Sequence, residues 1–200
     1  MKGSLIIVSF FVLGLILGLN SEVLAQAVTG DVTRYILYTM MLIVGMSVGC
    51  DREALKALRS QNKRVILLPL GTIAGSLLGA IAVYPLVSSM PLQDTLGVAS
   101  GISYYSVSSI ILSEYRGAEV GTIALLSNVT REIFTILAAP LMVRYFGKLS
   151  VISSAGAASI DTLLPIVARC SGKEFIIISI FHGLVMEVSV PILVTLFATI

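Results

Sequence analysis

The feature that most limits what this chain can fold into is a series of apolar runs, each long enough to cross a bilayer. A helix needs roughly 17–25 predominantly apolar residues to span the hydrocarbon core, and such runs recur from end to end. Divided at the charged breaks, they give about seven membrane segments: 3–19, 34–50, 65–87, 95–113, 120–146, 150–168 and 175–200. Charged residues make up 12% of the 200, about half of what a soluble domain carries. The expectation is an all-α, polytopic integral membrane protein forming one transmembrane domain over 1–200. Membrane lipid is then its solvent.

At the N-terminus, Lys2, the apolar run 5–19 and the small-residue pattern Val23-Leu24-Ala25 resemble a signal peptide. Gly14 and Gly18, however, form a small-xxx-small pair suited to close helix packing, and a retained first helix is expected. The loop 51–64 (DREALKALRSQNKR) is the one sizeable polar stretch, and its Ala54, Leu55, Leu58 pattern suggests an amphipathic surface helix. Its Arg52, Lys56, Arg59, Lys63 and Arg64 mark the cytoplasmic side. With seven crossings the N-terminus is cytoplasmic, the C-terminus outside, and the cytoplasmic side also holds Lys2, Arg116, Arg169 and Lys173. Arg34, Arg144 and Lys148 fall outside in this scheme. The basic residues gather on no single surface, so nucleic acid is not an expected partner. Cys50 and Cys170 lack any spacing motif and read as ordinary small residues. With Trp absent, Tyr35, Tyr38, Tyr84, Tyr115 and Tyr145 are the expected interfacial anchors.

The two parts of the chain differ. Residues 1–90 read as ordinary lipid-compatible spans, whereas 95–200 reads as a polar transport core in which some segments are broken or re-entrant, with 95–113 and 150–168 able to span or to re-enter. Segment 95–113 holds Gly97, Ser100, Gly101, Ser103, Ser106, Ser108 and Ser109; segment 150–168 holds Ser153, Ser154, Gly156, Ser159, Asp161, Thr162 and Pro165. Non-helical backbone at membrane depth survives where protein or a watery cavity satisfies it, and a matched pair of interrupted segments points to a transporter's binding site. The likeness of Gly101-Ile102-Ser103-Tyr104-Tyr105 to Gly156-Ala157-Ala158-Ser159-Ile160-Asp161 hints at an internal repeat.

Charges inside the apolar runs are the candidate functional groups, because each costs at least about 2.5–3.5 kcal/mol at mid-bilayer. Arg131 and Glu132 lie near the centre of 120–146, and Asn128, Glu132, Thr135 and Ala139 share one helical face. Glu132 reads as a functional carboxylate or as half of a structural pair with Arg131. Asp161 reads as the anionic side of a cation site beside unwound backbone, or as a helix cap accepting from the amides two and three residues on. His182 is either a packed, hydrogen-bonded residue or a proton relay. Glu187 is either a second proton site or a partner of Arg131. No Walker A loop, GxGxxG, HExxH or nucleophile elbow is present, so neither an enzyme nor a bound cofactor or metal is expected. Transport would run on an ion gradient, and embedded carboxylates suit protons.

The run GVASGISYYSVSSIILSEYRGAEVGTIALLSNVTRE (97–132), with AGAASIDTLLP (155–165), FHG (181–183), GSLIIVSFFVLGLILG (3–18) and GMSVGCDRE (45–53), resembles the lysine exporter LysO family along essentially the whole chain. The resemblance implies a proton-coupled secondary transporter that exports L-lysine and its analogue thialysine from the cytoplasm across the cell (inner) membrane. It implies two membrane-embedded acidic residues: Glu132 in the Asn-x-x-Arg-Glu motif and Asp161 in the Ser-x-Asp-x-x-x-Pro motif. Asn128, Arg131, Ser159 and His182 are then supporting residues. Ser103-Tyr104-Tyr105-Ser106 stands where the family has Gly-Trp-Tyr-Ser, so Tyr104 and Tyr105 bear on substrate preference. Glu187 stands where the family is apolar or small. Full-length family chains carry further helices before the matched region, which points to a split transporter with a short companion membrane subunit supplying them. Two other readings stay open: a cation/proton antiporter or exporter of another cationic amino acid, and a non-transporting membrane subunit.

Overall fold

The structure is a computed structural model that describes residues 63–86 and 90–200, with isolated helical positions at Leu13, Ile16, Tyr35, Thr39, Leu42, Met46 and Cys50. The chain divides into two units, Met1–Met40 and Met41–Ile200, and every element below belongs to the second. Segments 3–19 and 34–50 are described only at those isolated positions. The leader-or-helix question and the amphipathic stretch 51–62 lie outside the described residues.

Secondary structure among the described residues is helical. Helix α1 (Lys63–Val83) runs into a 3-10 turn (Tyr84–Leu86), followed by α2 (Leu92–Ala99), α3 (Tyr105–Arg116) and α4 (Ala118–Phe146). Next come α5 (Ser150–Ala155), a 3-10 turn (Gly156–Ser159), α6 (Leu164–Cys170), a second short 3-10 turn (Lys173–Phe175) and α7 (Ile176–Thr199). Three stretches are long and apolar enough to cross a membrane: Leu67–Leu86, Ala118–Phe146 and Lys173–Thr199. The protein is a multi-pass membrane protein.

The other two expected segments do not form single helices. At 1.5 Å per residue, α4 is about 44 Å long, whereas α2, α3, α5 and α6 are at most about 18 Å, short of a core of about 30 Å. Each pair instead folds back as a hairpin. Asp94 in the first turn of α2 pairs with Arg116 at the end of α3, so both ends of 92–116 lie at the N-terminal end of α4. At the other end of α4, Lys148 Nζ donates to Glu174 Oε1 at 3.1 Å, and the Ser171 hydroxyl donates to the Lys148 carbonyl at 2.8 Å. Segment 148–172 therefore leaves and returns on the same side as well.

The two hairpins enter from opposite ends of α4 and meet in the middle, where Ala157 N donates to Ile102 O at 3.0 Å. A crossing helix followed by a re-entrant hairpin thus occurs twice, as α1 with α2–α3 and as α4 with α5–α6, running in opposite directions. That is the logic of inverted repeats, and the tips are the two stretches whose likeness hinted at one.

This corrects the sidedness expected from seven successive crossings. Arg144 and Lys148 lie at the same end of α4 as Arg169 and Lys173, and Arg116 lies at the other. Hydropathy measures apolar length and carries no information on whether a broken segment crosses or returns.

The bundle buries small and branched residues between hairpin and helix: Ala139, Val151, Ile152 and Val167 form one cluster, with Leu68 of α1 and Phe175 packed on it. On the opposite face of α4, Leu126, Ile133, Phe134, Leu137 and Leu141 are exposed, as a lipid-facing surface demands.

Candidate functional site

Helix α4 organises the site. Its buried face carries Gly121, Ala124, Asn128, Glu132, Thr135 and Ala139, the polar stripe that helical spacing anticipates. Midway along it, two neighbouring side chains hold the two tips.

At the first tip the backbone unwinds over 100–104, with Ile102 and Ser103 at φ 39° and 65°. Non-glycine residues avoid that region, at a cost of order 1–3 kcal/mol each. Asn128 compensates the freed groups: its Oδ1 accepts from Ser103 N at 2.8 Å, and its Nδ2 donates to Val98 O at 3.3 Å and Ala124 O at 2.9 Å. At the second tip, Arg131 donates from Nε to Ser154 O at 2.9 Å and from Nη2 to Ser153 O at 3.2 Å. Its Nη1 donates to the Ser76 hydroxyl of α1 at 2.9 Å. Thr135 shares a hydroxyl contact of 2.6 Å with Ser154. Gly156, at φ 60°, lets the tips touch, since a Cβ there would come within 2.7 Å of Ile102 Cγ2.

Helix α7 clasps the second tip from the other side. The Ser159 hydroxyl donates to Ser179 O at 3.1 Å, and the Ser179 hydroxyl donates back to Ser159 O at 2.7 Å. His182 is fully buried, with Nδ1 3.3 Å from the Ser159 hydroxyl and Nε2 3.0 Å from that of Thr72. Thr72 in turn lies 2.6 Å from the Ser153 hydroxyl. Ser159 and His182 therefore sit in one buried hydrogen-bonded network with Thr72, Ser153 and Ser179.

The carboxylates gather where the tips meet. Glu132 is 8% exposed on the inner face of α4, close enough to Asp161 to sense its charge and within reach of the Thr162 side chain. Asp161 is exposed, and its Oδ1 accepts from Thr162 N and from the Thr162 hydroxyl at 3.1 Å. The capping alternative for Asp161 is corrected here: the N-cap of α6 is Leu163. Leu163 N and Leu164 N donate instead to the backbone carbonyls of Ala158 and Asp161, because the chain makes another turn before α6 begins. The carboxylate is free of the helix end.

Glu187, midway along α7, does not reach Arg131. It lines, with Asp161, Ser103, Tyr104, Tyr105 and Thr162, a cavity of about 90 Å³ between the tips. The suggested Glu187–Arg131 pair is thus replaced by a Glu187–Asp161 neighbourhood. The suggested Arg131–Glu132 pair gives way as well, since Arg131 turns to the second tip. Reading 1–90 as ordinary spans did not single out Thr72 and Ser76. The available signal was their i, i+4 spacing, which puts two hydroxyls on one face of an otherwise apolar helix.

Two re-entrant tips, each braced by α4 and flanked by carboxylates, make a polar site at membrane depth of the kind used to move solutes. The chain is similar to the lysine exporter LysO of Escherichia coli K12, with 28% identity over 187 residues, 94% of this chain and 61% of that one. It therefore spans about three fifths of that relative's length. It is also 28% identical over 165 residues to a candidate lysine exporter of Haemophilus influenzae, covering 82% of this chain and 83% of that one. No solved structure matches it. The family description for lysine exporter LysO matches residues 8–198, from the first apolar run to the end of α7, and the chain belongs to that family.

Proposed function

We propose that this chain is the transport core of an exporter that moves L-lysine, and with it thialysine, out of the cytoplasm against an inward flow of protons. One observation carries the reading: the tips of two oppositely directed hairpins meet at mid-membrane beside Glu132 and Asp161. Lysine has two ammonium groups, and carboxylates are their natural partners. The same carboxylates accept protons, so proton and lysine compete for one site. A proton arriving from outside releases lysine, and its loss to the cytoplasm readies the site for the next. Rocking of one helix–hairpin repeat against the other would expose the site alternately to each side.

The hairpin topology also supports an orientation. With the end of α4 that carries Lys148 facing the cytoplasm, Lys63, Arg144, Lys148, Arg169 and Lys173 lie inside and Arg116 outside. That obeys the positive-inside rule better than seven crossings do. It keeps the N-terminus inside and the C-terminus outside, in the cell (inner) membrane. A short companion subunit belongs to the same proposal, and co-purification in mild detergent tests it.

The deciding experiment measures efflux of labelled lysine from cells deficient in their own exporters, alongside sodium-dependent proton flux. Lysine efflux that collapses with the proton gradient supports the reading. Sodium/proton exchange without lysine efflux would replace it with an antiporter.

A further inference from the structure

The cavity between the tips holds more than the carboxylates of Asp161 and Glu187. Ser103 is 3% exposed, and its hydroxyl oxygen is buried without a hydrogen-bond partner among the described residues. A hydroxyl left so costs about 1–3 kcal/mol, and Ser103 is among the residues that line the cavity with Asp161 and Glu187. Ser103 is also held at φ 65°, with its amide donating to Asn128 Oδ1. Glu187 and Asp161 are near enough to interact electrostatically, and both act on Tyr104. Among the described residues no basic side chain lines the cavity. Two carboxylates lining one small cavity repel each other until a cation or proton lies between them. A space of about 90 Å³ admits several water-sized groups, and so an ammonium group with the methylenes next to it.

We propose that Glu187 and Asp161 together hold an organic ammonium group in this cavity, with the Ser103 hydroxyl oxygen accepting one of its hydrogen bonds. Glu187 is the residue that selects dicationic substrates over amino acids lacking a side-chain charge. The substrate class, diamino acids and diamines, rests on the lysine-export reading; the pocket's cation chemistry rests on its own lining.

The test is titration calorimetry on the full chain in lipid nanodiscs with L-lysine, 1,5-diaminopentane and L-norleucine, the last having lysine's length without its side-chain ammonium. Lysine and the diamine should bind at least about 10-fold more tightly than norleucine. Glu187→Gln should weaken both by roughly 30-fold, the scale of losing one partner of a buried charge contact, and leave norleucine unchanged. Ser103→Ala should weaken lysine by about 10-fold yet melt no lower than wild type, because it removes a group with no internal hydrogen bond. If Glu187→Gln does not fold, Ser103→Ala and Glu187→Asp decide the matter. Wild-type affinities and lysine-to-norleucine ratios in these variants would overturn the pocket while leaving lysine export standing. A wild-type chain that binds the diamine tightly but exports no lysine would overturn the export reading and keep the pocket.

Discussion

The two tips face each other across a single backbone hydrogen bond, yet they are built differently. The first, at 100–104, carries no charge, stores its strain in Ile102 and Ser103, and is braced by the neutral amide of Asn128. The second, at 156–163, carries Asp161, places its unusual conformation on Gly156, and is braced by the cationic Arg131. A neutral brace suits a tip that supplies hydroxyls and backbone. A cationic brace set behind Ser153 and Ser154 adds positive charge near the tip that carries an acid. The difference assigns roles: the first tip shapes the cavity and the second supplies its charge.

The sharpest break of that comparison is to remove the charge. Asp161→Asn should reduce lysine efflux by roughly 100-fold or more, the scale of losing one partner of a charge contact, with normal membrane insertion. Glu132→Gln should fall in the same range. Since Asp161 does not cap α6, Asn brings no compensating cap benefit. An Asn variant that exports at the wild-type rate would remove Asp161 from the transport machinery.

The next largest effect separates the braces. Arg131→Met removes two hydrogen bonds to the second hairpin and one to α1, and should cost about 2–4 kcal/mol, as removal of a charged donor does. Asn128→Ala should cost about 1–2 kcal/mol, near the upper end for polar contacts between membrane helices. Chemical denaturation in detergent ranks the two. The reverse order would mean that the first tip, not the second, is the element under greater constraint.

What the sequence made legible follows the same line. The polar face of α4 was readable because helical period alone puts Asn128, Glu132 and Thr135 together, and the breaks were readable because Gly, Ser and Pro interrupt apolar runs. The return of each hairpin was not. It shows in pairs 22 and 26 positions apart, Asp94–Arg116 and Lys148–Glu174, which no local pattern announces. The neighbourhood of Glu187 and Asp161 was hidden for the same reason: they sit on different elements and meet only when α7 crosses the second tip.

Sidedness then gives a third prediction, about labelling rather than energy. In a background lacking Cys50 and Cys170, single cysteines at Lys148 and Lys173 should react with an impermeant reagent from one side of the membrane. A cysteine at Arg116 should react from the other. Labelling of Lys148 and Lys173 from opposite sides would restore segment 150–168 as a crossing and remove the second hairpin.

The smallest expected effect concerns the hairpin bases, and it compares the same two regions at their open ends. The first base is closed by Asp94, which is buried, and Arg116, which is partly so. The second is closed by Lys148 and Glu174, whose side chains are 54% and 64% exposed. Exposed pairs are screened by solvent and hold two long side chains at an entropic cost, so most contribute little. Glu174→Gln should therefore leave the melting temperature within error of wild type at any salt concentration. Asp94→Asn leaves the Arg116 charge against a partly dry surface, and should lower the melting temperature measurably and more so at low salt, where screening is weakest. Equal shifts for both variants would mean that the second base is held by its charges. A null result for Glu174→Gln alone locates its closure in the Ser171–Lys148 backbone contact and the packing of Val151, Ile152 and Val167.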